Sequence, residues 1–133
     1  MPGWLNKARY SFIIGIAPLS MQFVLGMMAS IYATPPYGPS NIGVHYAMGY
    51  VLAAVGLIII IMAALSRLRG PIAFAILDFV SIAIAGESGR EFAFISNQNP
   101  IYSLLMALFW LIAFIAYFLG QQLSSSKGEA AKD

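Results

Sequence analysis

VHYAMGYVLAAVGLIIIIMAAL, residues Val44 to Leu65, contains no Asp, Glu, Lys or Arg. As a helix rising 1.5 Å per residue, a stretch of this length crosses the ~30 Å hydrocarbon core of a bilayer. Its centre, Leu57 to Ile61, is purely aliphatic and offers no polar face to water. The segment reads as a membrane span, and three more stretches share its character, at about 10–33, 71–95 and 101–119. Within the third, Pro71 to Ala85 is apolar apart from Asp78, and the helix is expected to continue through Gly86, Glu87, Arg90 and Glu91 to about Ile95 at the interface. Lys7 and Arg9 ahead of the first stretch resemble the start of a signal peptide. The apolar run is longer than the roughly 7–15 residues of a signal core and ends without a small-x-small pattern, so it is expected to stay as a helix.

Composition points the same way. Of the 133 residues 60% are hydrophobic and 9% charged, with a mean hydropathy of +0.81, against about 25% charged in soluble domains. Too little polar surface remains to coat a soluble enzyme, and the chain is far too apolar for disorder. The absence of Cys removes disulfides, thiolate chemistry and thiolate-bound clusters, and a single His removes a multi-histidine metal site within one chain. The net charge of +2 comes from scattered basic residues, which argues for membrane orientation and against nucleic-acid binding.

The connectors are short, which predicts antiparallel neighbours: an all-α, up-down-up-down four-helix bundle in one transmembrane domain, residues 1–123, followed by a polar tail at 124–133. The connector 34–41, with three prolines, is expected to be a non-helical turn. Gly70 is expected to stop the second helix and Pro71 to open the next. Lys7, Arg9, Arg67, Arg69, Lys127 and Lys132 fall on one side of this arrangement and Arg90 alone on the other. Both termini are therefore expected in the cytoplasm of a multi-pass cell-membrane protein. Tyr37, Tyr46 and Tyr50 then belong to the outer aromatic belt, and Trp4, Tyr10 and Tyr117 to the inner one.

Small residues recur at helical spacing together with the few polar ones: Gly15, Pro18, Gln22, Gly26 and Ala29; then His45, Gly49, Ala53, Gly56 and Ala63; then Ala75, Asp78, Ser81 or Ile82, and Ala85. Such stripes let helices approach closely, so Gln22, His45 and Asp78, with Ser81, are expected inside the bundle or against a partner. Asp78 is the most informative, since an acid within a span costs about 2.5–3.5 kcal/mol on insertion scales. It reads as a neutral hydrogen-bonding strut or, in the sharper version, as a proton-accessible carboxyl. Glu87, Arg90 and Glu91 share one helix face at the outer edge, where His45 begins its span; these four form the expected outer-mouth polar cluster, with a carboxylate accepting from the imidazole.

His45-x-x-x-Gly49 at the outer start of a span resembles the haem-ligating helices of small b-type cytochromes and haem A synthase-like proteins. That resemblance implies His45 as a haem b ligand, with Met27, Met28 or Met106, or a second chain, on the other side of the iron. Small multidrug transporters share the size and span count; resemblance to them implies an essential Glu in the first span, where this chain has Gln22. In plan, four short-looped helices with one lone acid resemble the accessory transmembrane subunits of respiratory and other redox complexes. That likeness implies a non-catalytic structural subunit with no resident cofactor, surrounded by lipid and by other integral membrane subunits or further copies of itself. A haem- or quinone-binding redox protein and a proton-linked transporter are the alternatives. No Walker loop, HExxH, GxSxG or dinucleotide motif is present.

Overall fold

The computed structural model describes residues 2–36 and 39–129. Four helices account for nearly all of them: α1 (Pro2–Tyr32), α2 (Pro39–Ser66), α3 (Arg69–Arg90), which runs on through a π-helical turn at Glu91–Ile95, and α4 (Pro100–Glu129). All four are long and apolar enough to cross a membrane, over Lys7–Tyr32, Ile42–Ser66, Arg69–Ile95 and Pro100–Ser124. The chain is a multi-pass membrane protein of the expected all-α class. Each helix packs on its sequence neighbours, and α4 closes the ring against α1. Both helix ends nearest the termini lie at one end of the bundle, called here the terminal end; the opposite, loop end carries the first and third connectors.

The buried positions alternate in steps of three and four. The main series is Ala8, Phe12, Gly15 and Leu19 on α1; Leu52, Gly56, Ile59, Ala63 and Ser66 on α2; Pro71, Ala75, Asp78 and Ile82 on α3; Ala113, Tyr117, Gly120 and Ser124 on α4, with Ser81 and Ala116 buried beside it and Ile42 and Ser88 nearer the loop end. This is the 3.5-residue period of helices that wind around one another. The outward faces are also apolar, with Ile14, Val24, Ile58, Ile61, Leu104 and Phe118 among the exposed side chains. Lipid tails are as apolar as leucine, so burial here selects small size and close fit rather than hydrophobicity. Serine hydroxyls in the spans bond back to their own helix, Ser11 to the Lys7 carbonyl (2.8 Å), Ser66 to Ala63 (2.6 Å) and Ser124 to Gly120 (2.8 Å). Each thereby satisfies a donor that the bilayer cannot.

Helix boundaries depart from expectation at three places. Pro39 lies inside the first turn of α2, because an N-terminal turn has no use for the N–H that proline lacks. The second helix stops at Ser66, where Arg67 takes a left-handed φ of 56°, and α3 starts at Arg69 ahead of Gly70 and Pro71. Pro71 needs a place within a first turn, and this moves the helix start upstream of it. Finally, α4 continues to Glu129, well into the stretch expected as a polar tail. Tyr37 and residues 130–133 lie outside the described residues, as do the side chains of Trp4, Lys127 and Lys132.

Candidate functional site

Tyr117 crosses from α4 into the bundle. Its ring lies on Gly15 of α1, where a Cβ would collide with it, and beside the Ile59 side chain of α2, whose Cδ1 is 2.9 Å from that Cβ position. Phe12 fills the matching gap at Gly120, where a Cβ would lie 2.5 Å from its ring, and meets Tyr117 edge-on with centroids 6.3 Å apart. Asp78 of α3 shares the Tyr117 level and lies against α2, its Oδ2 3.8 Å from the Cβ position of Gly56. Two glycines thus make the space in which an acid and a phenol meet.

Both side chains are 0% exposed. The Tyr117 hydroxyl comes close enough to the Asp78 carboxyl to interact with it, but the two are not aligned as a hydrogen bond: neither carboxyl oxygen nor the hydroxyl has a partner at bonding geometry. Among the described residues Asp78 makes no ion pair. Buried polar groups are nearly always satisfied, so three orphan atoms at one spot mark a site that asks for an explanation. Ser81, 1% exposed, sits one turn further along α3.

A second polar level lies toward the loop end. There the Gln22 amide nitrogen is 3.5 Å from His45 Nε2, and the imidazole rests against Gly26, with Cε1 3.1 Å from that glycine's Cβ position. Gln22 Oε1 and His45 Nδ1 are buried without partners. The expected four-membered outer cluster therefore divides. His45 turns inward to Gln22 of α1, whereas Glu87 and Arg90 pair with each other on the exposed face of α3, Nε of Arg90 donating to Glu87 Oε2 at 3.0 Å, with Glu91 3.8 Å from the guanidinium. The physical reason is register: the helical face that carries His45 and Leu52 turns toward α1 and the bundle interior, while Glu87 lies on the outer side of its helix.

The same geometry does not fit a haem. One imidazole nitrogen is held against Gln22, the other is covered by protein, and the ring is seated on α1. Met106, one of the proposed second ligands, is packed instead on α3, its sulfur 3.1 Å from the Cβ position of Gly89. Among the described residues no group of three His, Asp or Glu side chains can hold a metal ion. At the loop end Pro35, Pro36, Phe94, Asn97 and Gln98 line a shallow open depression of about 550 Å³ that holds no titratable side chain.

Gln22, Asp78 and His45 were legible as interior polar residues, but Tyr117 was not: its position near the end of the fourth span suggested a belt residue. The available signal was its spacing from Ala113, Gly120 and Ser124, which puts a phenol on a stripe of small residues. Trp110 was also missed. Its indole N–H donates to the Leu19 carbonyl at 3.0 Å and its ring stacks between Phe23 and Phe114, tying α4 to α1 above the Asp78 level. Comparison of the sequence with protein-family models and curated proteins, and of the fold with solved structures, finds no match.

Proposed function

We propose that this chain is an accessory transmembrane subunit of a larger membrane complex, in its most specific form a respiratory-type electron-transfer complex, with no reaction centre of its own. What supports the reading is the unfinished half of the bundle. From Ser20 to Tyr32 on α1 and from Pro100 to Ile112 on α4 no residue is buried, so two long helix faces stand open at this end. A neighbouring helix can pack its side chains into such faces, as the four helices of this chain do with one another. Six of the seven basic residues, all but Arg90, then face the cytoplasm with both termini, in the cell membrane; a Cys placed at Asn97 should react with an impermeant thiol reagent added outside intact cells.

Purification in a mild detergent tests the assembly reading. The chain should migrate with larger integral membrane partners and lose stability when they are stripped away by harsher detergent. A chain that elutes alone from native membranes, as stable alone as in the membrane extract, would overturn it.

A further inference from the structure

Among the described residues Asp78 and Tyr117 are the one pair of orphan polar side chains that is wholly shut inside the protein, and we infer that together they form a site that holds one exchangeable proton at the bundle centre. The carboxyl takes up and gives back the proton; the phenol keeps its own and positions the carboxyl. Uptake forms one O–H bond on a carboxylate oxygen, release breaks it, nothing is oxidised or reduced, and the proton comes from and returns to water at a membrane face.

The surroundings suit such a pair. The Tyr117 ring is seated on Gly15 and packed in the core beside Ile59 and Phe12, so the hydroxyl stays beside Asp78 while its O–H bond is free to rotate. Once the carboxyl group turns into line with the hydroxyl, the phenol can accept from the neutral acid or donate to the carboxylate, and rotation of its O–H bond switches between the two. The helices around Asp78 bring no competing charge: α1 presents Phe12, Gly15 and Leu19, α2 presents Gly56 and Ile59, α4 presents Ala113 and Tyr117, and α3 adds only Ala75 and Ser81 beside it. Tyr117 is the only other titratable group facing the acid among the described residues.

Apolar layers bound the site on both sides. By helix register, Leu19, Leu52, Ile82 and Ala113 form the layer toward the loop end; Phe12, Ala63 and Ala75 form the layer toward the termini, and all seven belong to one packed core. The layers separate Asp78 from Gln22 and His45 on one side and from Ser66 and Ser124 on the other. The site is thus a holder that exchanges when a layer opens, rather than a link in a continuous chain of polar groups.

The sequence makes the test direct, because aspartate occurs only at positions 78 and 133. In the full-length chain labelled with ¹³C-aspartate and reconstituted in lipid nanodiscs, two side-chain carboxyl signals are expected, with Asp133→Asn assigning them. The Asp78 signal should move between its acid and carboxylate positions as pH is stepped, and both end positions should shift in Tyr117→Phe at unchanged helix content. The experiment reads the isolated chain and is independent of the assembly proposal. An Asp78 signal that stays in one charge state across the whole pH range in which the helices persist overturns the inference, and so does one whose end positions are the same in Tyr117→Phe.

Discussion

The terminal and loop halves of the bundle are built from the same kinds of residue, yet only one is closed. In the terminal half two aromatic rings are seated on two glycines across the α1–α4 seam, Tyr117 on Gly15 and Phe12 on Gly120, and the core is sealed around them. In the loop half the seats are fewer and smaller: Gly49 and Gly86 have nothing within 4 Å of their Cβ positions, Gly26 takes the edge of the His45 ring and Gly89 the Met106 sulfur. Where both faces of every helix are apolar, hydrophobicity cannot say which sides meet. Association follows the places where a missing side chain on one helix receives a large one from another.

The largest expected effect is at the first of those places. A side chain at position 15 needs the volume held by the Tyr117 ring and Ile59, neither of which can withdraw without opening the core. Gly15→Leu should therefore destabilise by at least the ~1–3 kcal/mol typical of overpacking, whereas Gly49→Ala, entering open space, should be neutral or gain up to ~1 kcal/mol of helix propensity. Thermal unfolding in one detergent compares them. Equal midpoints for the two variants would remove the distinction between the halves.

Tyr117 and Asp78 supply the next. Asp78→Leu leaves the phenol hydroxyl facing an apolar side chain and should cost ~1–3 kcal/mol, while Asp78→Leu combined with Tyr117→Phe removes both polar groups and should recover part of the loss. A double-mutant cycle in the same unfolding assay should show a coupling of about 0.5–1.5 kcal/mol. Strict additivity would mean that the two side chains are neighbours without being partners.

The spans were legible because each is a long run in which a charge would be costly, and the lone exception, Asp78, stood out for that reason. Gly15 and Gly56 were legible as points of close approach by their helical spacing. What fills those gaps was not: the ring on Gly15 comes from a residue 102 positions away, and nothing local in the sequence around Tyr117 shows whether its ring points along the helix to the interface or sideways into the core. The outer cluster failed for a related reason. His45 and Glu87 are at similar depth, but depth says nothing of rotation about the helix axis, and it is rotation that gives His45 to Gln22 and leaves Glu87 outside. Between α2 and α3 the left-handed residue is Arg67 and not Gly70, because a helix that holds Pro71 in its first turn takes Gly70 into that turn as well.

His45 gives the smallest effect on the chain alone and the sharpest contrast between the halves. Its contact with Gln22 is at the outer limit of a hydrogen bond, 3.5 Å, and interhelical hydrogen bonds in membrane proteins average only about 0.6 kcal/mol. His45→Leu keeps the side-chain bulk against Gly26 and removes two nitrogens, one of which has no partner in the chain. Unfolding of the isolated protein should therefore shift by ~0.5 kcal/mol or less, well below Asp78→Leu. In the native membrane the result should differ, because the loop half is where a neighbouring helix is proposed to dock, on faces whose spacing the His45–Gln22 contact between α1 and α2 helps to set. There His45→Leu should lower the fraction of the chain that co-purifies with its partners in mild detergent while leaving the amount of folded chain unchanged. A variant as fully assembled as the wild type would move the docking surface away from the open half, and one that unfolds as readily as Gly15→Leu would show that this half is closed by its own packing after all.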